Sequence, residues 1–489
     1  MSTTSISSTG SISSTGIGSG LDVTSIINGL MEVEKKPLTA LQDRATSIQT
    51  TISAFGEIKS ALASFRDAAA SLALPSTWNA TTGTSSDGTA VTVSTTSSAA
   101  TGNYAVQVQS LAAAQSTVSG TFASSSALAG AGTLHIDLGT WSADQTAFTA
   151  KSGSTGVDIT VTATDTLATL AAKINAAGAG VGASVVNDAS GSRLVFSSST
   201  TGTDNAFRIT AADSDGANTD ASGLSALAFD PAGGTTATTR TQAAANAAAT
   251  VNGLAVTSAT NSLANVFDGL TINLTKVTTT PVQVTVAQDK DGITKAVQGF
   301  VDAYNALSSL LSTDLKYDSS TKVAGPLQAD SGAVSLQRQL RNLVSSPSGA
   351  SSVFTTLSQV GLEVQTDGTL KLNSTKLTSA MANPAELKKL FTNVDTTTAA
   401  NSGIANRLRA FGNSMLGADG LVTSRIKGLN TKLTSNQKDQ DKLSLRLDAT
   451  QARLQAQYSA LDTKMASIST LSTYITQQIA NWNKSTSSS

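Results

Sequence analysis

The chain has 489 residues, enough for several domains of roughly 100–200 residues each. Its 32 basic and 33 acidic side chains leave a net charge of −1, which excludes the basic excess of a nucleic-acid binder and the acidic block of a metal store. Cysteine is absent and His135 is the one histidine, so disulfides, thiolate metal sites, cysteine nucleophiles and paired-histidine sites are excluded.

Residues 1–20 are rich in Ser, Thr and Gly and are expected to be a disordered tail. The opening "MSTTSISSTGSISSTG" carries no positive charge and no continuous apolar core, so no cleavable signal is read there. No stretch reaches the roughly 20 apolar residues of a membrane span, and no membrane insertion is expected. Asp22 is placed to cap a helix in which Ile26, Ile27, Leu30 and Met31 follow helical spacing. Pro37 is expected to interrupt that helix, pushing Lys36 out of the α region, and to open the next one. In the second helix Leu41, Ile48, Phe55 and Leu62 recur every seven residues and Ala69 continues the series. Leu38, Ala45 and Ile52 supply the interleaved position of a coiled-coil seam, which ends by Pro75.

From about Ala80 to Ala287 the period falls to two. "AVTVS" (90–94), "YAVQVQ" (104–109), "VDITVTAT" (157–164), "RLVFSS" (193–198) and "FRITA" (207–211) read as strands. Asn252-Gly253 and Asp268-Gly269 mark tight turns, and "TLATLAAKINAAG" (166–178) is a short helix among the strands. The block predicts one or two antiparallel β domains inserted between helical segments. Helical patterning returns near Gly292, with Val297, Phe300, Val301, Tyr304, Leu307 and Leu311 on one face. A further amphipathic helix is expected over 333–344, a hairpin over 362–373 around Asp367-Gly368, and a helix capped by Asn383 with Pro384 in its first turn. At the C-terminus Leu433, Gln440, Leu447, Leu454, Leu461, Ile468, Ile475 and Trp482 are spaced by seven. Leu429, Leu443, Met465 and Ile479 interleave, with a phase slip around 457–465. No proline or glycine interrupts Leu429 to Trp482, which predicts a helix about 80 Å long.

A leucine or isoleucine on such a seam gains about 1.5–3 kcal/mol only when a partner covers it. The two ends of the chain are therefore expected to pair with each other or with neighbouring copies; an ordinary helical hairpin within one domain is the other reading. Asn436, Gln440 and Thr450 put polar groups at core-like positions, where they weaken a coiled coil and fix its register.

No catalytic, cofactor or metal site is expected. Gly16, Gly18 and Gly20 fail the dinucleotide fingerprint, because position 21 is Leu21 and no strand precedes them; Lys35 and Lys36 come too late for a phosphate-binding loop. His135 and Asp137 would share one face of a strand, and a Ser-His-Asp relay would have to run through His135, but a surface histidine is the simpler reading. "DSDGANTD" (213–220) lacks the closing glutamate of a calcium loop, since position 224 is Leu224.

"GIGSGLDVTSIINGLMEVEKKPLTALQDRATSIQTTISAFGEIKSALASF" closely resembles the N-terminal region of the flagellar filament-capping family, also called flagellar hook-associated protein 2. "RLQAQYSALDTKMASISTLSTYITQQIANW" resembles that family's closing helix, with Arg453, Tyr458, Ala460, Leu461, Asp462, Leu471, Tyr474 and Ile475 in the expected places. "GLEVQTDGTLKLN" resembles its hairpin, and "DTLATLAAKINAAGAGVGASVVND" a motif shared with flagellins.

The resemblance implies an α+β multidomain chain with terminal coiled-coil helices, a helical bundle and inserted antiparallel β domains. Residues 21–45 and 429–489 would form the leg, 46–78 and 290–428 the bundle with its hairpin, 79–112 and 248–289 a β domain, and 113–247 an outer β domain. It implies a non-enzymatic filament cap, a ring homo-oligomer expected as a pentamer, that holds exported flagellin at the growing tip and promotes its folding and insertion. The expected partners are flagellin, hook-associated junction proteins and an export chaperone, with type III export placing the protein outside the cell at the distal filament tip. Leu41, Ile48, Phe55, Leu62, Leu433, Leu447, Leu454, Leu461, Ile468, Ile475 and Trp482 are the expected assembly seam, and Leu21, Asp22, Ile26, Ile27 and Leu30 the start of the filament-contacting leg. Two alternatives stay open: another junction or filament subunit, and a tip adhesin that binds mucin or another host glycan.

Overall fold

The computed structural model describes residues 22–235 and 237–486; the expected tail, with Gly16, Gly18 and Gly20, and Leu21 lie outside these residues. One compact unit takes the chain up to Leu74 and from Thr294 onward, and the other is Pro75–Ile293.

The first unit is helical. Its N-terminal helix, Val23–Ala73, is 51 residues long and opens at Asp22, whose side chain accepts the Ser25 backbone N–H at 3.0 Å. Its C-terminal helix, Leu421–Thr486, has 66 residues and a length of about 100 Å. Shorter helices at Ser331–Ser345, Ser374–Ala380, Pro384–Thr392 and Ile404–Leu416, and the long helix Lys290–Leu315 from Thr294 onward, complete it, with a hairpin pairing Leu362–Val364 to Leu370–Leu372. Phe65 meets Phe300 and Tyr304 at ring separations of 5.6 and 6.2 Å, and the Tyr304 hydroxyl donates to the Gly368 carbonyl at 3.0 Å, tying the hairpin to the bundle. Asp330 caps Ser331–Ser345 through the Gly332 and Ala333 amides and takes two N–H groups of Arg425, fastening that cap to the base of the C-terminal helix.

Two local expectations are corrected. The helix break at Pro37 is absent: Val23–Ala73 runs through it. The ring removes the N–H that would donate to the Val33 carbonyl, but Val33 is 60% exposed, so water can donate to that carbonyl instead. Met31 and Leu38, on either side of the proline, both pack into one apolar cluster with the C-terminal helix and hold the two halves in line. Pro37→Ala is therefore expected to raise the stability of this helix by up to about 3 kcal/mol, read as a higher melting temperature by circular dichroism; no rise would mean that the ring costs nothing here. Asn383 stands at the cap position before Pro384, but its side chain makes no capping hydrogen bond.

The second unit is built on antiparallel strands around two apolar clusters. In the first, a five-stranded sheet runs in the order 81–85, 282–288, 102–110, 247–251, 254–258, and a three-stranded sheet runs 262–267, 270–274, 91–95. Val106, Val108, Leu263, Ile272 and Val284 are fully buried between them. The Asn-Gly and Asp-Gly signals close hairpins, with Val251 opposite Leu254 and Phe267 opposite Leu270. Asn252 adopts φ 49° and Gly253 φ 84°, the left-handed pair that such a two-residue turn requires.

The second cluster lies within residues 116–242. Strand 132–141 pairs with 206–213, 148–150 and 157–161, and a second sheet runs 239–242, 116–118, 191–198, 181–188. Helix Leu167–Ala177 is capped by Thr166 and closed by Gly178 at φ 63°; it buries Leu167, Leu170 and Ile174 in this cluster. The expected α+β class with terminal helices and inserted antiparallel sheets is the observed one.

Candidate assembly surfaces

The N- and C-terminal helices of the first unit run antiparallel. Val23, Ile27 and Met31 are buried with Leu447, and Leu38, Leu443, Leu454 and Tyr458 pack against them. One turn further along the pair, Asn436 is 5% exposed and accepts the Gln440 amide at 2.5 Å. The same amide reaches the Leu41 carbonyl at 3.4 Å. Asn436, buried, and Gln440, half-buried, thus form one polar layer that touches both helices. Thr450 is half-buried.

The expected seam residues fall into three settings. Phe55 and Leu62 are fully buried inside this unit, as are Ile58, Phe65 and Ala69. Leu41, Ile48, Leu433 and Leu454 are half-buried, and Leu447 is buried against the N-terminal helix. Beyond Tyr458 the row comes to the surface: Leu461, Ile468, Ile475 and Trp482 are 45, 61, 49 and 72% exposed. Met465, Leu471, Tyr474 and Ile479 join them at 40–58%. From Leu461 to Ile479 this apolar stripe extends about 27 Å along the helix.

The expected leg start divides as well. Ile27 is buried on the C-terminal helix, whereas Ile26, Leu30 and Val33 form a second stripe at 36, 42 and 60% exposure. Spacings of four and three place these three on one face. Asp22 serves as the cap, with its carboxyl held below the usual range by the Ser25 hydrogen bonds. Sequence reasoning missed Val33, whose signal was its helical spacing from Leu30.

No chemistry converges on these surfaces. His135 is placed in the second unit, where strand register sets Asp158 opposite it and Arg208 opposite Asp137. Its Nδ1 lies 2.5 Å from Asp158 and its Nε2 3.0 Å from Asp137, and Arg208 donates to Asp137 at 2.8 Å. The sequence showed only the His135–Asp137 half, because Asp158 lies 23 residues away on the neighbouring strand. The Asp158 hydrogen bond raises the His135 pKa; burial opposes this and Asp137 adds to it. At Asp137 burial pushes upward, but the Arg208 hydrogen bond and the His135 charge outweigh it and hold the carboxyl low.

A folded pKa raised above the unfolded value gives stability that is present at low pH and is lost as pH rises through the folded pKa. The melting temperature of the wild type minus that of His135→Gln is thus expected to shrink as pH rises from below 6.5 to above the folded pKa. A difference that grows with pH would reject this. The side chain is 40% exposed, so the effect is small.

In "DSDGANTD" the carboxylates close local turns: Asp213 accepts the Ser225 amide at 3.0 Å, and Asp220 accepts the Ser222 and Ser225 hydroxyls at 2.5 Å each. Among the described residues no group of three or more His, Cys, Asp or Glu side chains is arranged to hold a metal, and no helix is long and apolar enough to cross a membrane.

Comparison with known proteins agrees along most of the chain. Residues 19–115 match the family described as Flagellar hook-associated protein 2 N-terminus, 244–470 match Flagellar hook-associated protein 2 C-terminus, and 147–200 match the Flagellin hook IN motif. The flagellar hook-associated protein 2 of Escherichia coli (strain K12) is 32% identical over 96% of this chain and 98% of its own length. The B-type flagellar hook-associated protein 2 of Pseudomonas aeruginosa is 31% identical over 96% of this chain and 97% of its own. Among solved structures, the D1-D2-D3 domains of the flagellar cap protein FliD from Escherichia coli superpose with a TM-score of 0.62 and 27% identity, covering 77% of this chain and 99% of that one. The two long terminal helices, the inserted antiparallel sheets and these full-length matches place the chain in the flagellar hook-associated protein 2 family.

Proposed function

We propose that this protein caps the flagellar filament, working as a ring of identical chains, expected as a pentamer, at the growing tip. It holds exported flagellin there and promotes its folding and insertion. The observation that carries the reading is the apolar stripe from Leu461 to Ile479, which a chain acting alone would have no reason to keep in water. Its seven side chains are each roughly half exposed, so covering them would contribute about 1 kcal/mol apiece before ordering costs are subtracted. That is enough to hold a subunit and modest enough to release it when the next one arrives. Ile26, Leu30 and Val33 offer a second, smaller surface of the same kind at the start of the leg.

In this reading the stripes meet the filament end, flagellin or the junction proteins. The chain reaches the tip by type III export with a chaperone covering its apolar helix, and the protein carries no reaction of its own. The test is truncation before Leu461 in a flagellated strain that depends on this protein. Unpolymerised flagellin in the medium and bare hooks are expected, and normal filaments would reject the proposal.

A further inference from the structure

A groove of about 630 Å³ opens in the helical unit beside Arg407, in the first turn of the Ile404–Leu416 helix. One wall is apolar, formed by Leu343, Ala410 and Phe411. Arg407 Nη1 donates to the Pro347 carbonyl at 2.8 Å and Nη2 to the Ser346 hydroxyl at 2.6 Å. Both acceptors lie just past the C-terminus of Ser331–Ser345, where a cation complements the helix end; that structural role explains why the arginine is there. It uses two of the five guanidinium N–H groups, and 5 − 2 = 3 have no protein acceptor among the described residues. Nor does any carboxylate of the described residues lie within ion-pair distance of this guanidinium, as one does for Arg66, Arg193, Arg208 and Arg425; most arginines of the described residues share this lack.

The other polar groups of the groove are already engaged. The Asp395 carboxylate accepts the Thr397 and Thr398 amides at 2.8 Å each, and the Asn406 amide donates to the Thr392 and Asn393 carbonyls. The groove thus carries both charges, the Asp395 carboxylate held ionised in its own turn and the Arg407 guanidinium with donors unused, beside an apolar wall. Burial pulls the Arg407 pKa below the usual arginine range, the direction taken by a desolvated cation that lacks a counter-charge.

We propose that this groove docks an acidic, apolar peptide segment of a partner protein, one of its carboxylates pairing with the Arg407 guanidinium while a neighbouring aliphatic side chain lies on Phe411, Leu343 and Ala410. The planar guanidinium fork matches a carboxylate in two parallel hydrogen bonds, and partial burial strengthens the pair relative to one in open water. An acidic peptide without an apolar residue one turn away leaves the Phe411 wall wet, and a neutral one leaves the guanidinium unpaired.

The test uses the full-length protein and a fluorescein-labelled synthetic helical peptide that repeats Leu and Glu one turn apart, with a Gln-for-Glu version as its comparison. Fluorescence anisotropy is expected to show the Glu peptide binding at least about tenfold more tightly than the Gln peptide. Arg407→Gln is expected to abolish that preference. Ala410→Trp, at an exposed helix position, fills the groove and is expected to remove binding of the Glu peptide while leaving the melting temperature unchanged. The proposal is overturned if the Glu peptide shows no saturable binding at millimolar concentration, if Arg407→Gln keeps the preference, or if Ala410→Trp binds as the wild type does. Should Arg407→Gln fail to fold, the peptide comparison and Ala410→Trp still decide.

Discussion

Cells carrying Ile468→Asp together with Ile475→Asp are expected to release flagellin into the medium and to build no filaments, although the purified variant melts as the wild type does. Both side chains stand on the exposed stripe, at 61 and 49% exposure, so neither carries the folded chain. Exposed substitutions of this kind change stability by no more than about 0.5 kcal/mol. A carboxylate pressed into an apolar contact, by contrast, brings a desolvation cost of several kcal/mol with no partner to offset it. The loss should therefore fall on assembly alone. Leu445→Asp is the matched comparison: Leu445 is 72% exposed on the same helix, within the stretch that pairs with the N-terminal helix. If Leu445→Asp stops filament growth as thoroughly as the double variant, the stripe has no special part in capping. If the double variant swims normally, the cap reading of the stripe fails. A truncation at 440 would be a poorer test than one at 461, because Leu447, Leu454 and Tyr458 belong to the packed pair and their removal would unsettle the monomer.

The sequence told these two regions of one helix apart only weakly, and the reason is physical. Leu454 and Leu461 occupy equivalent places in the heptad, yet one is packed and the other is 45% exposed. The difference depends on where the partner helix lies: Val23, its first residue, packs in the same cluster as Leu454 and Tyr458. A periodic pattern reports which face wants cover and says nothing of whether the cover is present. The Pro37 expectation failed similarly, since the local preference against helix was overridden by packing on both sides.

The β region was most readable where alternation met Asn-Gly or Asp-Gly, because turn type and strand register are then set within a few residues. It was least readable at 116–118, 148–150 and 239–242, which are three or four residues long and Ser/Thr-rich, too short to show a period. Long-range register was not readable at all. Asp158 meets His135, and the Gln440 amide meets the Leu41 carbonyl, only after strands and helices have been aligned across 23 and 399 residues. The Arg407 groove belongs to the same class, since it needs a helix end, a loop and a third segment to converge.

Phe55→Ala is expected to destabilise the purified monomer by about 3–5 kcal/mol, and Leu62→Ala by about 2–5 kcal/mol, measured as a fall in the urea midpoint. Both side chains are fully buried within the chain, and the aromatic contact of Phe65 with Phe300 and Tyr304 lies one turn beyond Leu62. Truncation removes transfer energy and leaves a cavity that this close-packed region can fill only in part. Leu461→Ala, a leucine of the C-terminal heptad series, should leave the same midpoint unchanged, because water already reaches it. The contrast separates two meanings of a heptad seam. If Phe55→Ala left the monomer as stable as the wild type but prevented ring formation, positions 55 and 62 would be contacts between subunits. The fall expected instead makes them the core that holds the Val23–Ala73 helix rigid, so that the stripes at the far end of the leg are presented from a fixed base.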